Sequence, residues 1–155
     1  LMHVIAAKAV ALGIASTDVF AERQRRTVAN AKALAAGLID GGIDVLTDGT
    51  DVHLVLVDLT STGLDGQTGE DRLDQVGITV NRNAIPFDER PPMNPSGLRI
   101  GTPALSTRGF QPEDMTEIAS IISAALGSDF EAERDGLAVR SKALMDKYPL
   151  YPGLG

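Results

Sequence analysis

The stretch His53-Leu54-Val55-Leu56-Val57-Asp58-Leu59 contains a near-continuous run of apolar residues. Such a run is typical of a strand that is buried on both faces of a sheet. The segment Val45-Leu46-Thr47 precedes it, and the turn-forming residues Asp48-Gly49-Thr50-Asp51 lie between the two. We therefore predict a β-hairpin whose second strand is central in a sheet.

Two more strands are predicted further along the chain. In residues 78–83, Ile78 and Val80 face one way, and the polar side chains on the other side are Thr79, Asn81 and Asn83. A brief strand follows, in which Leu98 and Ile100 alternate with Arg99. Since the apolar neighbours point to the core, Arg99 is expected to project from the opposite face.

A proline-rich loop is expected between these strands. Residues 84–96 contain four prolines, which are Pro86, Pro91, Pro92 and Pro95. Proline has no backbone N–H to donate to a strand ladder, so this stretch cannot be a central strand. Ordered loops of this length are more often functional than idle.

Helices are expected on both sides of these strands. The alanine-rich residues 3–15 predict a largely buried helix, and Asp18 can cap a second helix that runs to about Ile39. Apolar spacing predicts three further helices, at residues 70–76, after Pro112 and at 130–148. The order predicts an α+β fold with helices packed on a small, mainly antiparallel sheet.

Composition limits the function classes. The 155 residues have a net charge of −7, 43% hydrophobic content and no cysteine. Disulfides, cysteine-ligated metals and thiol nucleophiles are excluded. The acidic balance makes nucleic acid an improbable partner, and no apolar run reaches the length of a membrane span. We expect a soluble, cytoplasmic chain, and its start at Leu1 suggests a piece of a longer protein.

Arg99 is the strongest candidate for binding. A guanidinium held on a strand can grip a carboxylate with two parallel hydrogen bonds. A structural ion pair with one of the aspartates is at least as plausible from position alone.

The other polar residues favour structural interpretations. His3 and His53 are expected to be hydrogen-bonded structural residues, and Asn81 and Asn83 to anchor an edge or a loop. The basic cluster Arg23, Arg25 and Arg26 is expected to be a solvated face. The sequence has no phosphate-binding glycine loop, metal-ligand pattern or nucleophile elbow.

Five blocks, in order along the chain, resemble the serine hydroxymethyltransferase family. They are HVIAAKAVA from His3, NAKAL from Asn30, GTDVHLVLVDL from Gly49, GITVNRN from Gly77 and SGLRIGTPAL from Ser96. The residues Thr107-Arg108-Gly109-Phe110 extend the last block. The resemblance spans nearly the whole chain up to about Gly127.

The resemblance implies the C-terminal small domain of an aspartate-aminotransferase-like, fold type I enzyme. Such enzymes use pyridoxal phosphate and tetrahydrofolate to interconvert serine and glycine. It implies that Arg99 binds the amino-acid carboxylate. It also implies that the folate site is bordered by Asn83, Pro91, Pro92 and Met93.

The resemblance further implies that the essential lysine is missing. The family's Schiff-base lysine and its neighbouring catalytic residues belong before Leu1, and Lys8 does not replace that lysine. We therefore expect residues 1–16 to join a missing large domain, residues 17–155 to form the C-terminal domain, and the fragment alone to be inactive. The whole enzyme is expected to be a homodimer or tetramer.

Two alternatives remain open from the sequence. A related pyridoxal-phosphate aldolase or transaldolase would keep Arg99 without the folate wall. A non-catalytic interaction fragment would need neither.

Overall fold

A computed structural model describes residues 1–150. The helices are α1 (Met2–Ala15), α2 (Asp18–Asp40), α3 (Gly66–Gln75), α4 (Pro103–Arg108), α5 (Asp114–Ala125) and α6 (Phe130–Lys147). The strands are β1 (Asp44–Val45), β2 (Leu54–Asp58), β3 (Asn81–Asn83) and β4 (Gly97–Gly101). Short 3-10 turns occur at Leu46–Asp48 and Thr60–Thr62. The predicted α+β class is confirmed.

The strands form one four-stranded sheet in the order β1-β2-β4-β3, and every neighbouring pair is antiparallel. This arrangement confirms the predicted hairpin of β1 and β2 and the central position of β2. In the register, Arg99 of β4 lies opposite Leu56 of β2 on one side and Asn81 of β3 on the other. Side chains directly opposite one another share a face, so these three project together.

The core lies between one face of the sheet and the helices. Val55 and Val57 of β2 and Leu98 of β4 are fully buried. They point to α2 and α5, which approach closely at Gly37, where an added Cβ would lie 2.7 Å from the Cβ of Ala119. The absence of a side chain at this position lets the two helices share one apolar layer with the sheet.

The opposite face of the sheet, which we call the open face, is less covered than predicted. It carries Leu54 and Leu56 of β2, Arg99 of β4 and Asn81 of β3. The prediction that β2 is buried on both faces is wrong for the described chain, because burial alternates along the strand and both leucines are half-buried. The helices of residues 1–150 cover one face of the sheet only.

Helix α1 also departs from the prediction, because none of its residues is buried. Its main contact is with α2, from which it is bent by 73°. Its apolar residues lie on all sides, and Val10 and Leu12 are 63% and 72% exposed. The expectation of a buried helix rested on apolar content, which does not specify the surface that covers it.

Within residues 1–150, no single helix is long and apolar enough to cross a membrane. Only α1 and α2 taken together, across the bend between them, reach the length and apolar content of a membrane span.

Several boundaries differ from the prediction for local reasons. Thr17, rather than Asp18, caps α2, since its hydroxyl accepts a hydrogen bond of 3.2 Å from the Phe20 N–H. Helix α3 begins at Gly66 because the preceding Asp65 caps it. The sequence analysis missed α4, which starts at a proline and ends where Gly109 adopts φ 107°, a conformation suited to glycine.

Candidate functional site

Arg99 lies on the open face with most of its donors free. Its neighbours Leu98 and Ile100 are buried, so the side chain projects away from the core as predicted. Its one hydrogen bond within residues 1–150 is long, 3.4 Å from Nη2 to Oδ1 of Asn81. No carboxylate oxygen of residues 1–150 lies within 4.0 Å of this guanidinium. The structural ion pair therefore finds no partner in the described chain.

Asn83 lies on the same face as Arg99, at the end of β3. It pairs with Gly97 of β4, one step along the face from the pairing of Asn81 with Arg99. Its Nδ2 donates to the carbonyl of Ala84 at 2.7 Å, while no residue in 1–150 donates to its Oδ1. The amide oxygen is thus available to a ligand.

Gly97 permits close packing beside Asn83. A Cβ at this position would lie 2.6 Å from the Val57 carbonyl oxygen, 2.9 Å from that of Asn83 and 2.7 Å from Cγ2 of Ile85. The missing side chain lets Ile85, at the start of the proline-rich loop, pack against the sheet at this position. The loop therefore begins on the face that carries Arg99.

The loop, residues 84–96, presents an apolar tip to solvent. Phe87 is 100% exposed and Met93 is 79% exposed, and Pro91 and Pro92 are exposed beside them. Phe87 also has φ 60°, which is unusual for a residue with a bulky side chain. We call these four residues the loop tip.

Two carboxylates hold the base of the loop. Asp88 accepts hydrogen bonds from the N–H groups of Ile85, Arg90 and Ser96 and from the Ser96 hydroxyl, at 2.6–3.2 Å. The hydrogen bonds from Ser96 are the largest cause that lowers the pKa of Asp88 far below its usual range. We call this group of contacts the Asp88 clasp.

Asp65 makes the second attachment, between the loop and the start of α3. Its carboxylate accepts 2.8 Å from Nδ2 of Asn94 and 2.7 Å from the N–H of Thr68, and lies 3.5 Å from Nη1 of Arg90. Hydrogen bonds from Asn94 and Thr68 lower its pKa from 3.8 to about 2. The N–H of Gly66 adds a bond of 2.7 Å to the Pro95 carbonyl.

The residues that the sequence singled out for binding lie on two paired strands and in the loop between them. Arg99 and Asn83 lie on the open face, and Pro91, Pro92 and Met93 belong to the loop that joins their two strands. The sequence analysis missed Asp88 and Asp65. Asp65 could have been recognised, because an aspartate just before a helix is a common capping signal. No local pattern indicates that Asp88 reaches Ser96.

The histidines and the basic cluster on α2 lie outside the open face. Both His3 and His53 are exposed, and neither imidazole has a hydrogen-bond partner in residues 1–150, so the expectation of hydrogen-bonded histidines is wrong there. Arg26 does not belong to a solvated face, because its guanidinium donates 2.9 Å to the Ser106 carbonyl in a partly buried contact. Buried Asn30 donates from Nδ2 to the Ser106 hydroxyl at 3.0 Å.

The described residues include no group of three or more His, Cys, Asp or Glu that could hold a metal. A groove of about 500 Å³ lies apart from Arg99, between α2 and residues 47–51. Its lysine, Lys32, is already paired with Asp51 at 3.1 Å. The unpaired guanidinium of Arg99 therefore marks the better binding site for an anion.

Comparisons with known proteins agree with these features. The family model described as serine hydroxymethyltransferase matches residues 1–122. The serine hydroxymethyltransferase of Kineococcus radiotolerans is 58% identical over 160 residues, which covers 100% of this chain and 36% of that protein. That of Corynebacterium efficiens is 59% identical over 159 residues, covering 99% and 37%.

A protein named serine hydroxymethyltransferase 1 from Mycobacterium tuberculosis is 55% identical over 159 residues, covering 99% of this chain and 36% of that protein. The chain thus spans little more than a third of the length of these relatives.

Proposed function

Because the chain belongs to the serine hydroxymethyltransferase family, we propose that it is the C-terminal part of an enzyme that interconverts serine and glycine. The complete enzyme uses pyridoxal phosphate as cofactor and tetrahydrofolate as co-substrate in this proposal. The observation that carries it is the guanidinium of Arg99, which lies on the open face without a carboxylate partner in residues 1–150.

Arg99 binds the carboxylate of serine or glycine in this scheme. A guanidinium presents N–H groups in a planar fork that matches both oxygens of a carboxylate. Strand β4 fixes the direction of the side chain, because Leu98 and Ile100 on either side are buried. Two hydrogen bonds to one carboxylate set its rotation as well as its position, and so orient the substrate for reaction.

Pyridoxal phosphate, when bound to the complete enzyme, withdraws electrons from the substrate bond that breaks. The family resemblance implies that the lysine that holds that cofactor lies outside this chain, and the surroundings of the four lysines present agree with it. Three lysines are ion-paired to neighbouring carboxylates, in the pairs Lys32–Asp51, Lys142–Asp146 and Lys147–Asp114. The fourth, Lys8, is exposed on α1. We assign the cofactor lysine to the rest of the enzyme and expect the fragment alone to be inactive.

Asn83 and the loop tip form the folate wall in this proposal. The free Oδ1 of Asn83 can accept a hydrogen bond from a polar ring, and Pro91, Pro92 and Met93 offer an exposed apolar surface for its flat face. A folate combines these two kinds of surface. A related pyridoxal-phosphate aldolase would need Arg99 alone, so folate dependence separates the two activities.

Residues 1–16 join the large domain in this proposal, and residues 17–155 form the C-terminal domain of a fold type I enzyme. Helix α1 supports the first assignment, because it is apolar on all sides and uncovered by the rest of residues 1–150. A continuous apolar surface of this kind marks an interface. We assign the complete enzyme to the cytoplasm, as a homodimer or tetramer.

The test is Arg99→Lys in the complete enzyme. Lysine keeps the charge but not the fork, so the catalytic efficiency with serine, kcat/KM, should fall at least about tenfold, since each charge-assisted hydrogen bond contributes about 1.5–3 kcal/mol. The melting temperature should stay close to that of the wild type. Steady-state kinetics and a melting curve are measured on the same preparation.

The matched control is Arg82→Lys, which makes the same exchange on β3. Nε of Arg82 lies 3.7 Å from the Glu70 carboxylate. The Arg82→Lys variant should leave the kinetics with serine unchanged. A lower melting temperature for Arg99→Lys with normal kinetics would end the assignment of this residue as the carboxylate anchor.

A further inference from the structure

The loop tip has little packing of its own. Phe87 and Met93 are 100% and 79% exposed, so little of either side chain packs against the rest of residues 1–150. An apolar segment without such contacts tends to collapse onto the nearest surface. Polar contacts at the base of the loop must therefore hold the tip away from the sheet.

The Asp88 clasp joins both ends of the loop. Oδ2 of Asp88 accepts from the N–H of Ile85 at 3.2 Å and from the N–H of Ser96 at 2.8 Å. Ile85 follows β3 and Ser96 precedes β4, so one oxygen atom bridges the two strands. Oδ1 accepts from the Ser96 hydroxyl at 2.6 Å and from the N–H of Arg90 at 3.0 Å.

Only a carboxylate satisfies this arrangement. Each oxygen faces two donors, and an amide would turn an NH₂ group toward one of the pairs. The lowered pKa of Asp88 agrees with a charged acceptor in the clasp. Ser96 is 6% exposed, so its N–H and hydroxyl depend on Asp88 rather than on water.

We propose that Asp88 is a positioning residue for the folate wall, because it fixes the loop tip relative to Asn83 and to the strand that carries Arg99. This inference rests on the proposed function of the chain. Asp88 itself lies at the base of the loop, and it acts through the backbone of Ile85 and Ser96. Loss of the clasp frees the tip while the sheet that holds Arg99 stays paired.

The experiment compares Asp88→Asn with Glu89→Gln in the complete enzyme. Both variants remove one negative charge from the same loop, but exposed Glu89 forms no side-chain hydrogen bond or salt bridge within the described residues. Calorimetry measures the dissociation constants of glycine and, in the presence of glycine, of tetrahydrofolate. Amide hydrogen exchange of residues 84–96 is measured on the same proteins.

Asp88→Asn should weaken tetrahydrofolate binding about tenfold, the factor that corresponds to one lost charge-assisted hydrogen bond. Glycine affinity should change less than about twofold, and exchange in residues 84–96 should be faster. Glu89→Gln should match the wild type in all three. Ser96→Ala, which removes only the hydroxyl donor, should give a smaller loss of folate affinity in the same direction and serves if Asp88→Asn fails to fold.

Three outcomes are decisive, of which two contradict the role of Asp88 alone and one contradicts the proposed function. Equal losses of glycine and folate affinity, or normal folate affinity with faster exchange, mean that Asp88 only stabilises the fold. A wild-type enzyme that turns over no serine overturns the proposed function, and the role of Asp88 with it.

Discussion

Arg99 and Arg108 lie in neighbouring elements, β4 and α4, yet their surroundings are opposite. The Arg108 guanidinium donates to the carbonyls of Tyr148 at 2.7 Å and Met145 at 3.0 Å, where α6 ends. The Arg108 guanidinium also lies over Phe110, with its Cζ 5.9 Å from the centre of the aromatic ring. Arg99 has one long hydrogen bond and an exposed side chain.

The surroundings of Arg108 form a closed cluster. Asp114 accepts from Nζ of Lys147 at 2.8 Å and from the Tyr148 hydroxyl at 2.8 Å. Burial raises the pKa of Asp114, but hydrogen bonds from Lys147, Gln111 and Tyr148 outweigh it and hold the pKa below its ordinary value. We define the closed cluster as Arg108, Asp114, Met145, Lys147 and Tyr148.

The difference separates stability from binding. Donors and acceptors in the closed cluster satisfy one another and join the end of α6 to α4 and α5. Arg99 and Asn83 of the open face keep hydrogen-bonding capacity that residues 1–150 do not use. A side chain whose donors and acceptors are all satisfied contributes to folding. A side chain with unused donors or acceptors is available to a ligand.

The largest effect is expected from a substitution that disrupts the closed cluster. Arg108→Ala should lower the free energy of local unfolding of α6 by about 2–3 kcal/mol, because it removes charge-assisted hydrogen bonds to two carbonyls in a partly buried position. Serine kinetics should stay near normal. Amide hydrogen exchange in α6 measures the stability change.

The open face supplies the control. Arg99→Ala should change the free energy of local unfolding of α6 by less than about 0.5 kcal/mol. The reason is that an exposed side chain with one long hydrogen bond contributes little to stability. If Arg99→Ala destabilises the protein as much as Arg108→Ala does, the contrast between the two regions is lost.

A moderate effect sharpens the role of the open face. In the complete enzyme, Asn83→Ala should weaken tetrahydrofolate use by about 0.5–1.5 kcal/mol, the contribution of one hydrogen bond to a neutral group. Glycine affinity should stay nearly unchanged. The Michaelis constant for folate and the dissociation constant of glycine are the measurements.

Asn81→Ala is the matched control for Asn83→Ala. Asn81 lies on β3 with Asn83 and pairs with Arg99 of β4, and its loss should leave folate use intact. An equal fall of glycine and folate affinity in Asn83→Ala would mean that Asn83 is structural.

The smallest effect concerns pH and the attachment of the loop. The pKa of Asp65 is lowered from 3.8 to about 2, so the charged carboxylate stabilises the folded state fully above pH 3.8. This contribution is lost as pH falls from 3.8 through the folded-state pKa of about 2, below which the carboxyl is protonated in both states. Asp65→Asn should therefore be less stable than the wild type at neutral pH, with a gap that narrows across this window.

Urea denaturation midpoints between neutral pH and pH 2, followed by circular dichroism, test the expectation for Asp65. The gap should be small even at neutral pH, because asparagine can still cap α3 through its amide oxygen. A gap that stays constant down to pH 2 contradicts a role for the charge.

Much of the sheet could be predicted from local patterns. The alternation of Leu98, Arg99 and Ile100 correctly predicted which side chain leaves the core, because strand geometry sends successive residues to opposite faces. The same logic failed for β2, where a continuous apolar run was interpreted as burial on both sides. An apolar residue favours burial, but the surface that covers it must come from elsewhere in the protein, and the local sequence does not specify that surface.

The site divides in the same way. The family resemblance pointed to Arg99, Asn83 and the proline-rich loop, and the sequence placed Arg99 and Asn83 on successive strands, which the structure pairs directly. The Asp88 clasp could not be predicted, since Asp88 meets Ser96 only after the loop folds back. Arg108 was part of the quoted motif, but its role depends on the end of α6, which is distant in sequence.

The sequence by itself determined the α+β class, the antiparallel order of β1 and β2, the outward direction of Arg99 and the family. These follow from periodicity, turn chemistry and residue identity, which act over short stretches of chain. Only the tertiary structure decided which arginine is satisfied and which carboxylates hold the loop. Hydrogen-bond satisfaction depends on atoms brought together from distant segments, so Arg99 and Arg108 look alike in sequence and differ only when their partners are in place.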